Sequence, residues 1–284
     1  MDSVLAPVRN FAGANRPMII NVVYVVAFLV ALYYLYKFLI AGSDLEVTLL
    51  NHEIDGNSPD QWKLPGRDVR VKQGGEYTIS FWMYITSWEH RAGLAKSVLQ
   101  ILDTNMPDKI LLNTVLYPNE PKMMVRVNTI GGVAEGMDYT VAKNFNELMS
   151  GNGGMSMFSP SATMPKCDIQ DIDLQRWINV TVSVNGRIVD VYYDGKLARS
   201  CVLPDLPQAS DSGNQFVQIG NKGGFGGKIS GVQFFAYPLT PDRIYSIYQA
   251  GPMGQRGFIG YLMEKIGINL TYKGMGGQQR VLDY

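Results

Sequence analysis

From Met18 to Ile40 the chain is apolar almost without a break, MIINVVYVVAFLVALYYLYKFLI, with only Asn21 and Lys37 strongly polar. A helix of that length covers roughly 35 Å at about 1.5 Å per residue, enough for a hydrocarbon core of about 30 Å. The apolar character runs all the way round, unlike the single stripe of a helix lying on a soluble core. The pattern predicts one uncleaved transmembrane helix over 18–40, preceded by a short segment, 1–17. A cleaved signal peptide would carry a shorter apolar run and a small-x-small site; here the run ends in bulky residues, although Ala41-Gly42-Ser43 leaves cleavage open. Tyr33, Tyr34, Tyr36 and Lys37 are expected at the membrane interface, where tyrosine rings settle and a lysine can reach water. Arg9 and Arg16 precede the helix while Asp44 and Glu46 follow it, which places the N-terminus in the cytosol and the remainder across the membrane. Lys37 pulls the other way.

Beyond residue 43 the period changes from all-apolar to two. YTISFWMYI (77–85) puts Tyr77, Ile79, Phe81, Met83 and Ile85 on one face, and WINVTVSV (177–184) does the same with Ile178, Val180, Val182 and Val184. KMMVRVNTI (122–130), FVQIG (216–220) and KISGVQFFAYPL (228–239) predict further strands. Asn185-Gly186 is expected as a type I′ turn and Asp194-Gly195 as a second tight turn, making 177–202 a three-strand meander. Only DRIYSIYQA (242–250) has helical spacing in this half, with Thr240 as its cap and Pro241 in its first turn. Many short strands separated by turns predict an all-β, antiparallel jelly-roll sandwich over 44–251. NGG, PNEP and SPSATMP mark 103–175 as long surface loops, and 252–284 as an extension.

Composition narrows the function classes. The 284 residues carry 25 basic and 25 acidic side chains, a balance that argues against a nucleic-acid partner. Cys167 and Cys201 could form one disulfide or remain two buried thiols. His52 and His90 lie far apart, without zinc-ligand spacing.

Three stretches resemble one family. RWINVTVSVNGRIVDVYYDGKLARS (176–200) is similar to the central hairpin of concanavalin A-like, laminin-G-like jelly rolls, where a tryptophan opens a strand and a "YxDG" turn follows the next. FWMYITSW (81–88) resembles the early strand of that family. IGNKGGFGGKISGVQFFAYPLTPDRIYSIYQAG (219–251) resembles its last strand, "Leu-Thr-Pro" and closing helix. The joined anchor and jelly roll also resemble membrane-anchored minor capsid proteins of large icosahedral DNA viruses, the chlorovirus type in particular. That resemblance implies a structural protein of the virion, with the lipid bilayer and neighbouring shell proteins as partners.

Candidate chemistry is sparse. Laminarinase-type relatives of this fold use E-x-D-x-x-E or E-x-D-x-E; Glu53 and Asp55 fill two places, but the third falls on Asn57 or Ser58. Without the second carboxylate of a retaining pair, no glycosidase is expected. NKGGFGGKIS fails the phosphate-loop pattern at Lys222 and Ile229, so its glycines are read as a close strand approach. Asp168, Asp171 and Asp173 are candidate calcium ligands, and a solvated acidic loop reads the same; no other cofactor is expected. Sugar binding would need an exposed aromatic with polar neighbours, for which Trp62, Trp88 and several tyrosines qualify. Asn179-Val-Thr181 and Asn269-Leu-Thr271 are glycosylation acceptors if the domain is translocated. Phe258, Leu262 and Ile266 could line one side of a short partner-binding helix. The expected function is a non-enzymatic structural link between a membrane and a protein shell, with a membrane-anchored glycan-binding module as the alternative.

Overall fold

The computed structural model describes residues 16–40, 45–57, 62–64, 69, 71, 75–106, 108–131, 142–150, 167–209 and 215–252. The chain divides into two compact units, Met1–Asp44 and Leu45–Tyr284.

In the first unit, α1 runs Arg16–Ile40. Its described side chains, residues 20–35 apart from Val22, are exposed on every side, including Val23, Tyr24, Phe28 and Leu29. That stretch covers about 24 Å at 1.5 Å per residue. Among the described residues no helix is long and apolar enough to cross a membrane.

The second unit is a sandwich of two antiparallel sheets. Its elements are β1 (Glu46–Leu50), β2 (Ile54–Asp55), β3 (Trp62–Leu64), β4 (Tyr77–Ile85), β5 (Lys96–Asp103), β6 (Ile110–Leu116), β7 (Met123–Val127) and α2 (Ala142–Ser150). They continue with β8 (Trp177–Asn185), β9 (Ile188–Tyr193), β10 (Lys196–Val202), β11 (Gln215–Ile219), β12 (Gly227–Phe235) and α3 (Pro241–Ala250). One sheet has the order β1-β12-β4-β8-β9-β10, with β2 also on β12; the other is β3-β11-β5-β6-β7. The core between them takes alternate residues, as the period of two requires: Tyr77, Ile79, Phe81, Met83 and Ile85 from β4, and Ile178, Val180, Val182 and Val184 from β8.

Three expectations need correction. The region 103–175 contains more than surface loops. β6 lies within it with all seven residues buried, and α2 covers the outer face of its sheet through Phe145, Leu148 and Met149 on Ile110, Val115 and Met124. Covered on both sides, ILLNTVL shows no alternation and so gives no strand signal. The PNEP stretch is the short β6–β7 connection, where Tyr117 N donates to Lys122 O; NGG and SPSATMP lie outside the described residues. The β8–β9 turn also differs, because Asn185 pairs with Ile188 and the two loop residues are Gly186 and Arg187. Of those two only Gly186 has positive φ, as in a II′ turn. At the next turn both Asp194 and Gly195 have positive φ, the I′ pattern. Finally, Thr240 occupies the N-cap position of α3, but its hydroxyl makes no capping bond; Pro241 does open the helix.

The outer face of the larger sheet is itself covered. Ile244 and Ile247 of α3 pack with Tyr192, Phe235 and Leu239, and the Tyr248 ring stacks on Trp82 at 5.7 Å between centroids. A side-chain carbon at Gly195 would lie 3.0 Å from Cβ of Tyr248, so the Asp194-Gly195 turn fits against α3 only without one. Asn179, Thr181 and Ser183 are consequently buried, and Thr181 Oγ1 donates to Ser80 Oγ at 2.8 Å. At the open side, Ile169 bridges to Met123 of β7, and the Cys167–Cys201 disulfide ties that segment to β10. The free edges of the two sheets are thereby joined.

Candidate ligand-binding surface

Strand register builds one row of side chains across the outer face of the larger sheet. Lys228 pairs with Asp55 on one side and Tyr84 on the other, and Tyr84 pairs with Trp177. The inward partners Ile54, Met83, Ile178 and Ile229 belong to the core, so alternation turns Asp55, Tyr84, Trp177 and Lys228 outward. The Tyr84 and Trp177 rings are half-buried, 5.7 Å apart between centroids and inclined at 59°. Lys228 Nζ donates to Glu53 Oε1 at 2.7 Å, and that bond raises the ammonium above its ordinary range.

Beside Trp177 stands an ion-paired group. Arg176 donates to Asp173 and reaches Asp194 Oδ2 at 2.6 Å. Tyr193 Oη donates to Asp173 Oδ2 at 2.9 Å. Arg176, and secondarily Tyr193, hold the Asp173 carboxyl below its ordinary range, while burial foremost pushes Tyr193 up to about 12. Asp194 is more than a turn former, since its Oδ1 also accepts from Asn179 N at 2.9 Å. Two ring surfaces flanked by fixed donors and acceptors can stack on a sugar ring and bond its hydroxyls.

The other candidates are dispersed. Asp168, Asp171 and Asp173, the candidate calcium ligands, are not gathered into one group among the described residues. Asp168 accepts from Arg126 Nη1 at 2.5 Å and from Tyr117 Oη at 2.5 Å, Asp173 is taken by Arg176, and Asp171 has a positive φ of 54°. Arginines neutralise the carboxylates that a cation would have used, and no group of three or more potential metal ligands gathers among the described residues. Glu53 is committed to Lys228. The glycine-rich turn is a close approach: a side-chain carbon at Gly224 would lie 1.7 Å from the Gly56 carbonyl oxygen. Trp88 is partly buried and donates from Nε1 to Pro118 O at 3.0 Å. Tyr33 and Tyr34 are exposed on α1 with an edge-on ring contact at 5.6 Å. The side chains of Trp62, Tyr36 and Lys37, and all of Phe258, Leu262, Ile266 and Asn269, lie outside the described residues. Sequence reasoning missed the Tyr84–Trp177 pair. Both residues sit at alternate, outward positions of predicted strands, and that was the available signal.

A family model described as "Concanavalin A-like lectin/glucanases superfamily" matches residues 56–245. The search of curated proteins finds no match. Among solved structures, domain 4 of AbnA, an extracellular arabinanase from Geobacillus stearothermophilus, in complex with arabinotriose, is 14% identical with a TM-score of 0.41; 74% of this chain and 87% of that one are covered. The botulinum neurotoxin serotype D ligand binding domain in complex with N-acetylneuraminic acid is 12% identical with a TM-score of 0.39, over 72% of this chain and 41% of that one. The serotype G binding domain is 12% identical with a TM-score of 0.42, over 73% and 51%. The chain thus spans about half or less of the neurotoxin domains it matches.

Proposed function

Because the chain belongs to the concanavalin A-like lectin/glucanases superfamily, we propose that its sandwich is a non-enzymatic binding module, held at a bilayer by the N-terminal helix and joining that bilayer to a surrounding protein layer. The observation that carries this reading is α1, whose described side chains are apolar on every face apart from Asn21 and which precedes a separately compact sandwich. Exposed apolar side chains on every face suit lipid rather than water. In the sequence the apolar run 18–40 extends beyond the described side chains to a length of roughly 35 Å as a helix, which in this reading spans the bilayer with the sandwich on the non-cytosolic side. The Cys167–Cys201 bond supports that side, since disulfides persist in oxidising compartments. A minor capsid role in a virion with an internal membrane fits the same arrangement. Alkaline carbonate washing of the native membranes or particles tests it. The protein should stay with the bilayer and crosslink from 45–252 to shell proteins. Release into the wash would end the reading.

A second reading, glycan binding, rests on the Tyr84–Trp177 row with its polar neighbours. On a glycan array, saturable binding lost in Trp177→Ala and kept in Trp88→Ala would favour it; binding unchanged in both variants would remove this surface from consideration.

A further inference from the structure

Between β4 and β5 the chain brings two cations together. Lys96 is 1% exposed; its Nζ donates to Pro118 O at 2.9 Å and Leu94 O at 3.3 Å, and lies 5.2 Å from the Trp88 ring centroid. Arg91 is half-buried in a turn at φ 53°, and its Nη2 donates to Met149 O at 2.5 Å, near the end of α2. His90 lies beside it with Nε2 2.7 Å from Gly223 O. A side-chain carbon at Gly223 would come within 3.0 Å of Arg91 Nη1, so the glycine leaves room for the guanidinium beside this turn.

Arg126, Arg176, Arg243 and Lys228 each pair with a carboxylate, whereas neither Arg91 nor Lys96 does among the described residues. Arg91 Nε is buried with no partner. Burial lowers both cations from their ordinary values, Lys96 to about 8, where the charge of Arg91 adds to the effect. The α2 carbonyl accounts for one guanidinium N–H. Among the described residues no carboxylate balances the half-buried guanidinium or the buried ammonium, an arrangement that an anion would stabilise.

We infer that Arg91, backed by Lys96 and His90, is an oxyanion site that takes a sulfate or carboxylate group, free in solution or carried on an acidic saccharide. A planar guanidinium binds such groups through paired N–H bonds, and the buried ammonium behind it adds attraction without needing contact. The site differs in sign from the Tyr84–Trp177 row, which is flanked by Glu53, Asp55, Asp173 and Asp194.

The test uses the full chain in detergent, with thermal unfolding followed as sodium sulfate replaces sodium chloride at constant ionic strength. Ligand binding to the folded state should give a saturable rise in Tm. Arg91→Gln should weaken the apparent sulfate affinity about tenfold or more, in line with the loss of a charge-assisted pair. Lys96→Met keeps the Arg91–Met149 bond and should weaken it several-fold. Calorimetry with dextran sulfate against unsubstituted dextran separates the two sources: binding to the sulfated polymer that the variants lose assigns a saccharide ligand, and a sulfate effect without it assigns a free anion. A Tm rise that is linear and equal in wild type and both variants is general salting, and overturns the site.

Discussion

Removing the Cys167–Cys201 bond, whose two cysteines belong to the sandwich core, should be among the more costly changes to this unit. The bond spans 34 residues of sequence. In the chain-entropy account, freeing a loop of that size returns about 4 kcal/mol of conformational freedom to the denatured state. For a unit of this size that corresponds to a fall in Tm of about 8 °C. The perturbation is Cys167→Ala with Cys201→Ala, so that no lone thiol remains. Both cysteines are buried, so the lost sulfur packing adds to the effect. Urea unfolding of the full chain in detergent, followed by tryptophan fluorescence, reads the loss directly, and the urea slope should rise as the freed denatured chain exposes more surface. The structure adds a local signature. Ile169 is paired to β7 and Cys201 lies in the edge strand β10, so hydrogen exchange should quicken in 167–169 and 196–202 before it does in β4 or β8. A loss below about 1 kcal/mol, with unchanged exchange at β10, would refute the claim that this bond secures the open side of the sandwich.

Three further outcomes are expected. Trp82→Ala should cost about 3–5 kcal/mol and loosen α3, because it removes a ring that is 5% exposed and stacked on Tyr248; chymotryptic cleavage within 241–252 reports it. Urea midpoints should rise from pH 8 towards 10, since the folded chain releases the Lys96 proton near 8 and the unfolded chain holds it to about 10.4. Above about 10 the trend should reverse, because unfolded tyrosines ionise there while Tyr193 and Tyr237 stay protonated to about 12, and Lys96→Met should abolish only the rise. Asn179 should remain unglycosylated by mass spectrometry even in a secretory host, because it is fully buried and its side chain donates to Ser80 Oγ at 3.2 Å.

How legible each part was in the sequence depended on how many of its faces are covered. β4 and β8 alternate cleanly, so Phe81 and Val180 could be assigned to the core from period alone. β5 and β6 could not, because α2 and Tyr117 cover Val115 and Ile110 on the face that usually meets water. The polar residues of β8 misled in the opposite direction: Asn179 and Thr181 look solvent-facing in the sequence but are buried and hydrogen-bonded to β4. The Tyr84–Trp177 row depends on the pairing of β4 with β8, almost a hundred residues apart, and only the register reveals it. Asp168 looked like one of a set with its neighbours, yet its partner Arg126 lies on β7, across the sheet edge.

The strand order also determines when this protein can finish folding. Glu46 pairs with Phe235, and β4 pairs with both β8 and β12, so the larger sheet has no complete form until nearly the whole sandwich has been synthesised. Within that sheet β8-β9-β10 is built from neighbours in sequence and can form early, as β5-β6-β7 can in the smaller one. Closure between distant strands is slow, because the loop entropy must be spent before the contacts return it. A ribosome would therefore release an emerging chain with β1 and β4 still unpaired, and the sandwich would close around its last strand only after translation had passed β12.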